Sequence, residues 1–122
     1  MTSRARGLAA ERQARHWLEQ RGLRHIESNY RCAMGEIDLV MRDRDTLVFV
    51  EVRYRRNAAF GGAAVSVTAP KQRKLKRAVE HYLVARAVSA RRPCRIDVLA
   101  LQAADDAECT VEWIQNAVVG EG

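Results

Sequence analysis

The chain reads as an α/β domain with a mixed sheet flanked by helices, and three observations predict it. Two segments repeat apolar residues at helical spacing: Ala10, Ala14, Trp17 and Leu18, then Leu75, Ala78, Val79, Tyr82 and Leu83. Short runs rich in Val, Ile, Leu and Phe lie between and beyond them. The resulting order, α-β-β-β-α-β-β, suits one sheet with a helix on each face, or with both on one. At 122 residues, the chain is long enough for one domain that buries its own core without staples.

The first helix is expected over about Leu8–Gln20, stopped by Gly22. Leu23–Cys32 has weak strand character. Glu36–Arg42 and Leu47–Arg53 are clear strands, joined by the polar turn Asp43-Arg44-Asp45-Thr46. Arg55–Ser66 holds Gly61-Gly62 and no periodicity, which predicts a mobile loop. A second helix begins near Pro70, with Thr68 as its N-cap and the proline in its first turn. Beyond Pro93, Arg95–Leu101 is a strand and Val111–Val118 a last one, part of an acidic tail. No repeat, low-complexity tract or linker divides residues 1–122, so a single domain is expected.

Composition narrows the function classes. A content of 48% hydrophobic and 30% charged residues argues against disorder. No apolar run approaches the ~20 residues of a membrane span, so no membrane partner is expected. Met1–Gln20 is Arg-rich but lacks the apolar core and cleavage site of a secretory signal. It is read as part of the fold, and a cytoplasmic protein is expected. Cys32, Cys94 and Cys109 include no C-x-x-C pair, and His16, His25 and His81 show no ligand spacing. The cysteines are expected as small apolar fillers and the histidines as structural or exposed.

The net charge of +6 conceals a segregation. Residues 1–34 carry +4, residues 35–62 balance, residues 63–95 carry +8 and residues 96–122 carry −6. Two basic quarters beside a carboxylate-rich hairpin suit a surface that attracts a polyanion. Eighteen of the 21 basic residues are Arg, the side chain that grips phosphate bidentately. The competing reading is a set of solvated helix faces.

The hairpin carries the most information. A two-residue loop at Arg44-Asp45 places Asp38 directly opposite Glu51, their Cβ atoms about 5 Å apart, with Glu36 opposite Arg53 on the same face. A longer loop would shift this register. Like charges so opposed destabilise a sheet, and here they interrupt a run as apolar as Leu47-Val48-Phe49-Val50, where an unpaired carboxylate is costly. A shared proton, nearby arginines or a divalent cation must compensate. Two carboxylates with oxygen-only donors suit Mg²⁺; a cross-strand ion network is the alternative.

At these residues the chain resembles a known family. Gly35-Glu36-Ile37-Asp38-Leu39-Val40, Val48-Phe49-Val50-Glu51-Val52-Arg53, Phe60-Gly61, Val67-Thr68 ahead of Lys71-Gln72, and Arg95-Ile96-Asp97-Val98 resemble the YraN-type uncharacterised bacterial proteins. The resemblance covers about residues 7–101, leaving a C-terminal acidic strand at about 110–118. That family is similar in expected fold to the PD-(D/E)xK nuclease superfamily, Holliday-junction resolvases in particular, which implies a restriction-endonuclease-like αβββαβ core. By this resemblance Asp38 is the metal-binding Asp, Glu51 the acidic residue of the (D/E)xK element, and Glu11 the acid on the first helix. Arg53 stands at the Lys position and Ile37 at that of the motif's Pro. A guanidinium stays protonated and cannot act as a base, although it can steer a phosphate.

The function so implied is nucleic-acid binding with Mg²⁺- or Mn²⁺-dependent phosphodiester hydrolysis, branched DNA among its substrates. Asp38, Glu51 and the Val52 carbonyl would hold the metal, Glu11 would reach it through water, and Arg53 would stabilise the pentacoordinate oxygens. Lys71 extends the buried stripe toward the N-terminus of the second helix, itself an anion site. Gln72, Lys74, Lys76 and Arg77 are expected to grip the backbone, and the loop beginning at Arg55 to clamp it. DNA is the expected partner, with RNA left open and a homodimer compatible with the resemblance. A non-catalytic nucleic-acid-binding module with a degenerate site is the main alternative, and a protein–protein adaptor using the acidic last strand is a third.

Overall fold

The computed structural model describes residues 3–55, 67–104 and 107–117. The elements are α1 (Ser3–Glu19), β1 (Arg24–Cys32), β2 (Gly35–Asp43), β3 (Thr46–Arg55), α2 (Ala69–Ala85), β4 (Cys94–Ala104) and β5 (Ala107–Ile114). The strands form one sheet in the order β1-β2-β3-β4-β5. Only the β3–β4 pair is parallel. Successive antiparallel strands need only short turns, whereas a parallel pair needs a long crossover, and α2 lies within it. The mixed α/β sheet and the αβββαβ core are as expected.

The two helices take opposite faces, which settles the alternative the sequence left open. Along β3, Val48 and Val50 pack with Ala10, Ala14 and Leu18 of α1, while Leu47 and Phe49 pack with Leu75, Ala78, Val79 and Tyr82 of α2. That is the period of two expected of a strand buried on both faces. Among the described residues, no helix is long and apolar enough to cross a membrane.

Helix α1 begins at Ser3 rather than near Leu8. Gly7 does not break it, since one glycine costs only about 1 kcal/mol among good helix formers. It ends as expected at Gly22, whose φ is +95°. The Gly22 amide donates to the Glu19 carbonyl (3.1 Å) and the Leu23 amide to that of Leu18 (3.2 Å), the two bonds of a Schellman cap. Helix α2 starts after Thr68, whose hydroxyl accepts the Lys71 amide, with Pro70 in the first turn.

The hairpin turn is two residues long, and the expected register holds from Leu39↔Val50 to Asp43↔Thr46. Gly35 opens β2 with φ +153°, where a Cβ would stand 3.2 Å from the Lys74 carbonyl oxygen. Its missing side chain lets the start of β2 approach the first turns of α2.

The last strand differs from expectation. It ends at Ile114 rather than Val118, and a turn follows at 115–116; Val118 lies outside the described residues. The cause is Asp97, fully buried on β4. Its carboxylate accepts the Trp113 indole N–H (2.9 Å), the Asn116 amide (2.8 Å) and Nε of Arg95 (3.2 Å), and Asn116 turns with φ +54°. Trp113 in turn meets Trp17 of α1 edge-on, ring centroids 5.8 Å apart. The cysteines are also not all fillers. Cys32 packs against the core, Cys94 is exposed, and the Cys109 side chain lies outside the described residues. Of the histidines, His81 bonds the Tyr30 hydroxyl and His25 that of Ser28.

Candidate metal centre

The carboxylates gather where β2 departs from a regular strand. Residues two apart share a face, yet Ile37 packs on the α2 side and Leu39 on the α1 side. The strand therefore rotates by about half a turn at Asp38. On one flank the ladder to β3 ends at Leu39↔Val50. On the other, Asn29 lies between the pairs Ser28↔Leu39 and Tyr30↔Ile37 in the left-handed region, φ +56°. Local ladder breaks of this kind re-aim side chains. Here the half-buried Asp38 carboxylate takes the Val52 amide N–H at 2.8 Å.

Asp38 is thereby joined by two acids. Oxygens of Glu11, Glu36 and Asp38 lie within 4.8 Å of one another. Asn29, with its amide nitrogen turned toward them, donates to both Glu11 oxygens (2.7 and 2.9 Å) and to Glu36 (3.3 Å). Glu36 also pairs with Arg31 at 3.7 Å. Glu11 comes from α1, one turn before Ala14 on the buried stripe, which leans it over the sheet. Two hollows flank it. One of about 390 Å³ includes Asn29, Arg31 and Glu36 in its wall, and one of about 420 Å³ includes Arg12, Arg15 and Ser28.

Burial first, and mutual repulsion after it, show in the proton affinities. Burial pushes the Asp38 carboxyl up to about 8; the Glu51 charge adds to this, the Val52 amide partly offsets it, and Glu11 and Glu36 add smaller increments. Glu11 is also raised, by burial first and Glu36 next, against the pull of Asn29 and Arg31. Groups that resist ionising together can share a multivalent cation. The cluster of Glu11, Glu36 and Asp38 can hold one, and its all-oxygen donors suit a hard ion.

Glu51, only 3% exposed, faces a different set of partners. Its Oε1 receives Arg53 Nη1 at 3.4 Å and Lys71 Nζ at 3.3 Å. The sequence reading groups Glu11 with Asp38 through the family resemblance, and the structure brings these two carboxylates into one cluster. That reading put Glu51 opposite Asp38, but the ladder pairing stops one residue short. It set Glu36 against Arg53, whereas Arg53 turns to Glu51 on its own strand and Glu36 to Arg31. Val52 contributes its amide to Asp38.

Of the residues expected to grip a polyanion, Lys71 leaves the buried stripe, is exposed, and reaches back to Glu51. Gln72 donates to the Val67 carbonyl at 3.2 Å, closing the start of α2. Lys74 and Arg77 are exposed and Lys76 is half-buried. The Arg55 side chain and the loop over 56–66, including Phe60-Gly61, lie outside the described residues. Three contributors went unread in the sequence: Glu36 as a third acid, Asn29 as its bridge, and the arginines 12, 15 and 31 around the cluster. A period of two hinted at Glu36 alone.

The model of the uncharacterised protein family UPF0102 matches residues 10–101, a span that includes every carboxylate of the site. The chain belongs to the uncharacterised protein family UPF0102. Its UPF0102 relatives include a protein of Yersinia enterocolitica, 51% identical over 118 residues, covering 96% of this chain and 97% of the relative. A Nitrosomonas eutropha protein is 50% identical over 116 residues, covering 95% of each chain. One from Pseudomonas putida strain W619 is 49% identical over 111 residues, covering 91% of this chain and 90% of its own. The UPF0102 name carries no activity, so function must be argued from the site.

Proposed function

We propose that this UPF0102 protein binds nucleic acid, DNA in the first instance, and hydrolyses phosphodiesters at a centre of Glu11, Glu36, Asp38 and Glu51 loaded with Mg²⁺ or Mn²⁺. The observation that carries this reading is Asp38. A carboxyl raised to about 8 among three other acids costs the fold stability that a bound cation would return. The resemblance of the hairpin motifs to PD-(D/E)xK nucleases supports it, as does the surrounding arginine and lysine.

When bound, such a metal lowers the pKa of a coordinated water and polarises the phosphate. The chain's own residues supply the rest. Asp38 is aimed by the Val52 amide, and Asn29 fixes the Glu11 and Glu36 carboxylates. Arg53 and Lys71 converge on one Glu51 oxygen from β3 and α2. The remaining N–H groups of Lys71 can take non-bridging phosphate oxygens and stabilise the charge that grows there, the part that the family resemblance gives to Arg53. Lys71 thus brings an ammonium to the place where Arg53 has replaced the motif's lysine.

One observation favours a second reading, a non-catalytic binding module: Glu51 is already neutralised by two cations. The discriminating test is cleavage of labelled linear, flap and four-way-junction DNA with Mg²⁺ or Mn²⁺, beside Asp38→Asn and Glu51→Gln. Metal-dependent cutting lost in both variants supports the nuclease. Salt-sensitive binding by all three proteins without cutting supports the module.

A further inference from the structure

At the opposite end of α2 lies a third hollow, about 410 Å³, walled in part by Arg24, Arg42, Leu47, Tyr82, Arg86 and Arg92. Roughly 22 Å of helix separates Lys71 from Arg86, so this hollow is distinct from the carboxylate centre. Its first peculiarity is in the ladder. Arg24 and Arg42 are directly paired across β1 and β2, an opposition of like charges that destabilises a sheet. Neither has a carboxylate partner among the described residues.

The other two guanidiniums are already held in place. Arg86 makes a bidentate pair with Glu27, at 3.1 and 2.7 Å, and lies over the rings of Tyr30 and Tyr82. Arg92 donates its Nε to the Asp45 carbonyl at 2.5 Å. Ordering these long side chains in advance removes part of the entropy that binding would cost. Glu27 is spent on Arg86, so four guanidiniums and one carboxylate leave three positive charges around one cavity. The buried Leu47 and Tyr82 give that cavity an apolar floor.

We infer that this hollow binds a phosphomonoester, its dianionic phosphate between Arg24, Arg42 and Arg92 and its organic body against Leu47 and Tyr82. The charge excess favours a dianion, and the guanidinium fork matches phosphate geometry. Such a group is carried by a mononucleotide or by the 5′ end of a strand, whereas the flank of a duplex presents only diesters. The inference stands apart from the hydrolytic reading, since none of its residues belongs to the carboxylate cluster.

The test is calorimetric titration of inorganic phosphate, AMP and adenosine into the full chain. One phosphate or AMP is expected to bind per chain, AMP more tightly, and adenosine not at all. Arg42→Gln and Arg92→Gln should each weaken AMP about tenfold or more, while Asp38→Asn binds as wild type. Arg92 lies outside the helices and strands, so its variant keeps the test decisive should Arg42→Gln not fold. Competition by an oligonucleotide with a 5′-phosphate, but not by its 5′-hydroxyl twin, assigns the site to a strand end; AMP binding without that competition assigns a free nucleotide. No saturable binding of phosphate or AMP by wild type, or binding unchanged in both arginine variants, overturns the inference.

Discussion

The backbone amide of Val52 donates to Asp38 Oδ2 at 2.8 Å, so a β2 side chain bonds the β3 backbone just beyond the point where their ladder ends. One contact thus terminates the pairing, satisfies an inward amide and fixes a carboxylate beside Glu11 and Glu36. The geometry of the candidate centre follows from that exchange of a backbone partner for a side chain.

Its first consequence is a pH dependence. The Asp38 carboxyl releases its proton near 8 in the folded protein and near 3.8 when unfolded. The native state therefore binds more protons between those values, and stability falls as pH rises through them, by an amount on the order of a few kcal/mol. Metal-free wild type should melt at progressively lower temperature from pH 5 to pH 9. Asp38→Asn, which has no proton to lose, should give a flatter profile and gain on wild type at pH 9. Thermal melts across that range with chelator present check this.

Lys71 should separate chemistry from grip. It touches Glu51 at 3.3 Å but is 44% exposed, so Lys71→Met should cost only about 1 kcal/mol of stability. If its ammonium serves the phosphate, the same change should lower cleavage about 10²-fold. Lys76→Met should instead weaken binding at every salt concentration and reduce the salt slope, with little effect on the cutting rate of bound DNA. Single-turnover cleavage and binding titrations in Ca²⁺ read the two effects apart.

Asp97 should prove structural. It is fully buried and accepts from Arg95, Trp113 and Asn116, holding the end of β5 against β4. Asp97→Ala should cost roughly 3–5 kcal/mol, because it leaves the Arg95 guanidinium with Asp43 alone and strands the Trp113 and Asn116 N–H donors. Denaturant unfolding would show it, together with a change in Trp113 fluorescence.

What was legible in the sequence was what depends on short-range periodicity. The stripes Ala10–Ala14–Leu18 and Leu75–Val79–Tyr82 give both helices, and the two-residue turn at Arg44-Asp45 gives the hairpin register. Asp38 and Glu51 stood out because charge interrupts an apolar run. The rest depends on departures from periodicity. Glu36 joins Asp38 only because the strand rotates there opposite a left-handed Asn29, and neither event has a signature in a pattern of period two. Lys71 reaches Glu51 because the crossover lays the first turn of α2 near the start of β2, where Gly35 admits it. Asn116 ends β5 through a carboxylate 19 residues away.

A Mn²⁺ titration followed by electron paramagnetic resonance at pH 8, comparing wild type, Glu36→Gln and Asp38→Asn, tests the carboxylate cluster as a metal centre. One saturable Mn²⁺ per wild-type chain, weakened in Glu36→Gln and lost in Asp38→Asn, is the predicted result. No bound Mn²⁺ in wild type, or equal binding in all three proteins, would contradict the assignment of these carboxylates as a metal centre.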